Sequence, residues 1–184
     1  MDIFSIFLIA LGLAMDAFAV SITSGVTIKY VEMKNAFTIA IFFGLFQAIM
    51  PVIGWLAGFT LKNFISGIDH WIVFGLLSII GLKMIYESFK LESDKERVDP
   101  LNIFVLFVLS IATSIDALAV GISLSFLNIS IALPAIIIGI ITFLLSFVGV
   151  YIGTKLGHFF EKKIEILGGI ILIAIGIKIL IEHL

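Results

Sequence analysis

Six long apolar stretches are the feature that most constrains what this chain can fold into. They run approximately over 3–25, 36–61, 69–89, 102–127, 131–154 and 164–183. A helix that crosses a bilayer needs about 20 predominantly apolar residues. Because lipid offers the backbone no hydrogen-bond partners, a continuous apolar segment of this length spans as a helix. The sequence therefore predicts an all-α integral membrane protein with six transmembrane helices.

The composition excludes several other classes of protein. Of 184 residues, 61% are hydrophobic and 13% are charged, whereas a soluble domain is about half apolar and a quarter charged. No cysteine is present, which excludes disulfides and thiolate metal sites, and a net charge of −2 gives no basic surface for nucleic acid. The first stretch lacks the positive region of a secretory signal, so we expect a retained spanning helix. No phosphate-binding glycine loop occurs, so we expect no ATP hydrolysis by this chain.

The two halves of the sequence repeat each other. Met15–Ile22 returns as Ile115–Ile122, with an aspartate at the second position of each copy. Further matches at a constant offset pair Gly44, Gly54, Gly58, Gly81 and Lys83 with Gly139, Gly149, Gly153, Gly176 and Lys178. We predict one three-helix repeat in 1–89, a charged cytoplasmic linker in 90–100 and a second three-helix repeat in 101–184. An odd number of spans per repeat makes the second copy enter the membrane from the opposite side, as in many secondary transporters.

The distribution of lysine and arginine predicts the orientation in the membrane. Loops 26–35, 90–100 and 155–163 carry eight of these residues, against Lys62 and Lys178 on the other side. Cytoplasmic loops are the ones enriched in positive charge. We therefore expect these three loops in the cytoplasm and both termini outside.

Asp16 and Asp116 are the first candidate metal ligands. Placing an aspartate at the bilayer centre costs roughly 2.5–3.5 kcal/mol of free energy. An aspartate that occurs at equivalent positions of both repeats therefore indicates a functional role. In an inverted pair, both can meet near the midplane, where such transporters bind substrate and coupling ions. Two close carboxylates repel, so we expect at least one to hold a proton until a divalent cation displaces it. The alternative is that each aspartate only hydrogen-bonds a neighbouring helix.

Gln47 is the third candidate metal ligand. Pro51 lacks a backbone donor and frees the carbonyl of Gln47, four residues earlier. Gln47 can therefore offer an amide oxygen and a main-chain oxygen at mid-membrane. Thr142, its counterpart in the second repeat, is a candidate pathway residue.

Three further side chains near the aspartates are candidates for the transport pathway. Thr113 and Ser114 lie one turn or less before Asp116, although such hydroxyls often bond their own helix. Met15 could add a sulfur ligand that favours a transition metal, although packing is the ordinary role of a lone methionine. Oxygen ligands alone favour hard cations such as Mg, Ca or Mn.

Lys83 and Lys178 lie near the ends of their stretches. Each has a glutamate four residues later, the spacing of a pair on one helix face. Long lysine side chains also extend toward the membrane surface. We interpret both lysines as interfacial, each with a local ion pair.

The sequence resembles the manganese efflux pump (MntP) family, within the broader lysine-exporter superfamily. The resemblance covers essentially the whole chain and is carried by motifs at 15–20, 51–55, 69–71, 112–120 and 165–169. It implies a small bacterial- or archaeal-type exporter of Mn2+ in the cytoplasmic (inner) membrane, with Asp16 and Asp116 matching the family's intramembrane aspartates. Some relatives have glutamate where this chain has Gln47, so a third carboxylate is missing here.

These observations together predict proton-linked secondary export of Mn2+ by alternating access. Mn2+ is then the substrate, no cofactor is expected, and the partners are the metal ion and the bilayer, with a homo-oligomer left open. One alternative is export of another divalent cation, such as Cd2+, or of a cationic amino acid. A distant alternative is an intramembrane aspartyl protease, an enzyme class whose second aspartate follows Gly-x-Gly, whereas Ser114 and Ile115 precede Asp116.

Overall fold

The described part of the chain is helical. The computed structural model describes residues 3–28, 32–65, 69–88 and 100–156, and seven positions between 166 and 181. Five helices are α1 Ile3–Thr27, α2 Met33–Ile65, α3 Asp69–Ser88, α4 Ile103–Phe126 and α5 Ala132–Leu156. The seven later positions are helical too, and the rest of the sixth predicted span lies outside the described residues. The prediction of an all-α protein is confirmed.

The helices have the length and composition of membrane spans. Within the described residues, four of them qualify: Ile3–Thr27, Met33–Thr60, Ile103–Phe126 and Ala132–Lys155. These four ranges agree closely with the first, second, fourth and fifth predicted stretches. The chain is therefore a multi-pass membrane protein.

The first predicted loop, 26–35, is too long. α1 continues to Thr27 and α2 begins at Met33, so the connection is 28–32. α2 also continues past Lys62 to Ile65, where a break was expected. Its 33 residues span about 50 Å at 1.5 Å per residue, against a hydrocarbon core of about 30 Å. An apolar run predicts only the part of a helix that suits hydrocarbon, whereas polar residues such as Lys34 and Lys62 can continue the same helix beyond it. The 90–99 and 157–163 parts of the other two loops lie outside the described residues.

The connection between α4 and α5 is a short, well-bonded turn. Asn102 caps the start of α4, its side-chain oxygen accepting from the Phe104 N–H at 2.9 Å. At the other end, Asn128 takes a left-handed φ of 57°, and the Ile129 N–H donates to the Leu124 carbonyl at 3.0 Å. The Trp55 indole N–H donates to the Ile129 carbonyl at 2.9 Å. This bond fixes the turn to α2.

Helices from the two halves of the chain interdigitate. The most extensive contacts are those of α1 with α5, α2 with α4 and α2 with α5, while α1 touches α2 and α4 over short stretches. Two buried apolar clusters result, one centred on Ile9, Leu13, Leu77, Val120 and Ile138 and the other on Ala17, Ile39, Phe43, Leu106 and Val150. The core is thus built mainly between the halves, since the most extensive contacts pair α1 or α2 with α4 or α5.

Glycines allow these helices to approach with their backbones in contact. A Cβ on Gly54 of α2 would overlap the Leu118 carbonyl of α4. Gly149 of α5 is the counterpart of Gly54 in the second repeat. Its Cβ would lie 2.7 Å from the ring of Phe18, the counterpart of Leu118. Small residues at such positions are what lets helices pack closely in lipid.

A second set of glycine contacts is matched in the same way. A Cβ on Gly58 would lie 3.0 Å from the Ile122 carbonyl oxygen, and one on its counterpart Gly153 would overlap the carbonyl of Ile22, the counterpart of Ile122. Where α2 and α5 meet, a Cβ on Gly44 would lie 3.0 Å from the Gly139 oxygen, and one on Gly139 would lie 3.1 Å from the Gly44 oxygen. These glycine contacts of one half thus recur at the counterpart glycines of the other.

We expect Gly54→Ala to lower the stability of the folded protein by about 1–3 kcal/mol, the usual cost of overpacking. The added methyl has no flexible neighbour to displace, since it meets the backbone of α4. The measurement is thermal unfolding of the purified protein in detergent.

Gly75→Ala in α3 is the matched control, because nothing lies within 4 Å of its Cβ position. The same change there should be neutral or stabilise by up to about 1 kcal/mol through helix propensity. Equal unfolding temperatures for the two variants would contradict the close packing of α2 on α4.

Candidate metal site

Asp116 lies near the middle of α4 and is buried. Its side chain is 5% exposed, and the neighbouring Thr113, Ser114 and Ala117 are buried as well, whereas Ile115 is 53% exposed. This pattern follows from the helical period, which turns one face of α4 inward and leaves Ile115 on the outer face. Asp116 is therefore an inward-facing residue of α4.

Lys83 of α3 reaches Asp116. The lysine Nζ lies 3.4 Å from Asp116 Oδ1, and 41% of the lysine side chain remains exposed. This contact with a second helix was not predicted from the sequence, which offered Lys83 a local partner four residues later. Packing of α3 on α4 brings the flexible lysine stem within reach of the carboxylate, and that packing is not encoded in the local sequence.

Asp16 lies on α1 and is half-buried. One turn before it, the Leu13 carbonyl accepts a hydrogen bond of 3.0 Å from Gln47 Nε2. Gln47 is fully buried, and its Oε1 has no hydrogen-bond partner within the described residues. Gln47 therefore places an unsatisfied amide oxygen at the α1–α2 contact close to the Asp16 turn.

The hydroxyl groups near the site fall into two groups. The Ser114 hydroxyl donates to the Ser110 carbonyl at 2.6 Å, and Thr113 donates to the same carbonyl at 3.4 Å. These two residues thus show the back-bonding that was the alternative to a pathway role. Thr142 and Ser146 on α5 are fully buried, and neither hydroxyl oxygen has a partner within the described part of the chain.

Met15 packs in the core. It is half-buried against the apolar cluster that contains Ile9 and Leu13, while its counterpart Ile115 faces outward. The structure therefore gives Met15 the packing role that was the alternative to a sulfur ligand.

The arrangement restricts what the site can bind. Across the described ranges, no three His, Cys, Asp or Glu side chains converge, and the candidate ligands Asp16, Asp116 and Gln47 offer carboxylate and amide oxygens. Leu13 and Ala17 on either side of Asp16 belong to different apolar clusters, so this carboxylate lies where one cluster gives way to the next. An oxygen donor set between apolar walls suits a hard or borderline divalent cation.

Comparison with known proteins identifies the family. A family profile described as "Putative manganese efflux pump" matches residues 30–180. Three relatives of the same description, each named MntP, come from Gloeothece citriformis, Methanosarcina mazei and Clostridium botulinum. Over 184, 178 and 193 aligned residues their identities are 57%, 54% and 53%. The alignments cover 100%, 97% and 100% of this chain and 97%, 95% and 96% of the relatives.

No solved structure matches the chain. The resemblance inferred from the sequence motifs is confirmed, since the relatives are more than half identical along nearly the whole of both proteins. The chain belongs to the manganese efflux pump family.

Proposed function

We propose that this protein is a secondary transporter that exports Mn2+ by alternating access around Asp16 and Asp116. The observation that carries the proposal is a buried carboxylate in the middle of a membrane helix, Asp116, repeated in sequence by Asp16. Relatives named as manganese efflux pumps supply the identity of the cation and the direction of transport. Membership of the manganese efflux pump family also favours a transporter over an intramembrane aspartyl protease.

The proposed architecture is an inverted pair of three-helix repeats, 1–89 and 101–184, joined by the linker 90–100. The matched glycine contacts support it, since Gly54 meets α4 as Gly149 meets α1, and Gly44 and Gly139 meet each other. A pseudo-two-fold axis between α2 and α5 would generate this pattern. α3 and a sixth helix over the C-terminal apolar stretch complete the two repeats.

The proposed metal ligands are Asp16, Asp116 and Gln47. The buried, unsatisfied Gln47 oxygen supports this set, because a buried polar atom without a partner is costly and a cation would satisfy it. Thr142 has a similar unsatisfied oxygen and is proposed to line the pathway. Mn2+ binds such ligands less tightly than later transition metals, so selectivity would come from the geometry and number of oxygens.

Transport is proposed to be proton-linked. Deprotonated carboxylates are the form that binds a metal, so metal binding displaces whatever cation neutralises them. The halves would rock across the α2–α5 contact, exposing the site to one side at a time. Positive charge in loops 26–35, 90–100 and 155–163 supports a cytoplasmic location for these loops and an outer location for both termini.

A manganese-sensitive bacterial host that lacks its own exporter provides the first test. Expression of this chain should restore growth on Mn2+ and lower the manganese content of the cells, measured by elemental analysis. The empty vector and Cd2+-containing medium are the controls. Unchanged growth and manganese content at verified expression would contradict the proposal, and resistance to Cd2+ alone would move the substrate to that ion.

A cationic amino acid is the second candidate substrate. The observation that favours it is the Lys83 ammonium at Asp116, because the amine of a free lysine could bind the same carboxylate. Export of labelled lysine from loaded cells, without any effect on manganese, would identify this function.

A further inference from the structure

We propose that Lys83 is a built-in counter-cation that occupies Asp116 when the transported cation is absent and is displaced when that cation binds. The inference rests on the proposed function of Asp116 in transport. It gives Lys83 a positioning and neutralising role in the transport cycle.

Lys83 and Asp116 form a close pair of opposite charges. Asp116 is buried and Lys83 Nζ lies 3.4 Å from its Oδ1. A carboxylate in a low-dielectric interior has to be compensated by a partner charge or a proton. The ammonium supplies that charge, so the site is neutralised at Asp116 without a bound metal.

The Lys83 ammonium and a divalent cation would compete for Asp116. A divalent cation bound to Asp116 would lie close to the ammonium, and like charges at such a distance repel. Lysine has a flexible four-carbon stem, and 41% of this side chain is exposed, so Nζ has room to leave. Metal binding and the Lys83–Asp116 pair therefore exclude each other.

The transport cycle requires a neutral site after the substrate has left. An exporter must return to the inside-facing state after releasing its substrate, and an uncompensated carboxylate makes that return costly in a membrane. With Lys83 on Asp116 the emptied site stays neutral. Net efflux requires this return, whereas exchange of Mn2+ for Mn2+ uses only the loaded protein.

The experiment compares the two modes in liposomes that contain purified protein and radioactive manganese. External medium without Mn2+ measures net efflux, and medium with unlabelled Mn2+ measures exchange. For Lys83→Gln we expect net efflux to fall by about tenfold or more while exchange continues, with a lower Mn2+ concentration for half-maximal exchange because the competitor is gone.

Lys83→Arg should have the opposite effect on affinity. Its guanidinium stays charged and binds carboxylates bidentately, so net efflux should persist while the half-saturating Mn2+ concentration rises by several-fold. Lys34→Gln, at an exposed lysine in the first turn of α2, is the matched control and should leave both modes unchanged.

The outcomes separate this inference from the proposed function. Wild-type liposomes with neither net efflux nor exchange would overturn the proposed function and the inference with it. If the wild type transports Mn2+, unchanged net efflux in Lys83→Gln, or equal loss of both modes in the inserted protein, would overturn the inference alone. Should Lys83→Gln fail to fold, an unchanged half-saturating concentration in Lys83→Arg would overturn it.

Discussion

Purified protein with Asp116→Asn should no longer bind Mn2+. Asparagine keeps the shape of the side chain and removes its charge, so the packing around this buried position should survive. Losing even an outer-shell partner of a metal ligand costs roughly 10–100-fold in affinity, so losing a charged ligand should cost at least about 100-fold. The free Mn2+ signal in electron paramagnetic resonance measures binding directly, and Asp16→Asn should give the same result.

Glu32→Gln is the control for charge removal, because Glu32 is exposed just before α2. It should leave Mn2+ binding unchanged. Asp116→Asn also deprives Lys83 of its partner at 3.4 Å and should destabilise the protein, by less than the roughly 3–5 kcal/mol of a fully buried pair. Adding Lys83→Gln to it should restore stability without restoring binding. Binding by either aspartate variant at wild-type affinity would remove that aspartate from the site.

Gln47→Leu should raise the Mn2+ concentration for half-maximal binding by about tenfold, on the scale of losing one metal-supporting partner. Leucine nearly matches the volume of this fully buried side chain but removes its unsatisfied oxygen and its 3.0 Å bond to the Leu13 carbonyl. Calorimetric titration of Mn2+ into purified protein measures the change.

Gln47→Glu distinguishes the contribution of the side-chain oxygen from that of the hydrogen bond to the Leu13 carbonyl. Glutamate keeps an oxygen at this position and loses the amide donor to Leu13, so metal affinity should equal or exceed that of the wild type. Weak binding by both variants would assign Gln47 to helix packing, and full binding by Gln47→Leu would exclude it as a ligand.

The apolar content of the sequence was sufficient to predict the helices. Long apolar runs leave a chain in lipid few alternatives to helices, and the helical period buries Asp116 beside Ala117 while exposing Ile115. The ends of α2 could not be predicted from the apolar run. Lys34 and Lys62 interrupt the apolar run but are compatible with helix, so the helix continues past both of them, from Met33 to Ile65.

The Lys83–Asp116 pair was missed because it depends on how α3 lies against α4. Local sequence offered Glu87 as a partner at the right spacing, which made a local pair sufficient as an explanation. One signal was present in the sequence: Lys83 recurs as Lys178, just as Asp16 recurs as Asp116. An ionisable residue within a membrane segment costs free energy whether it is acidic or basic, so the duplicated lysines called for the same functional interpretation as the duplicated aspartates.

The hydrogen-bond partners of the serine and threonine hydroxyl groups could not be predicted from the sequence. Thr113 and Ser114 bond the carbonyl of Ser110 in their own helix, whereas the Thr142 hydroxyl has no partner in the described residues. Threonine and serine have the same local options in any helix. Which of them bonds its own backbone depends on the space around each, and that space is set by packing between helices.

Efflux of radioactive manganese from liposomes containing only this purified protein tests the central claim most directly. Wild-type protein should release the loaded Mn2+ far faster than protein-free liposomes, and Asp16→Asn and Asp116→Asn should match the protein-free rate. Release by the wild type no faster than by protein-free liposomes would contradict manganese transport, and wild-type rates in both variants would contradict its site.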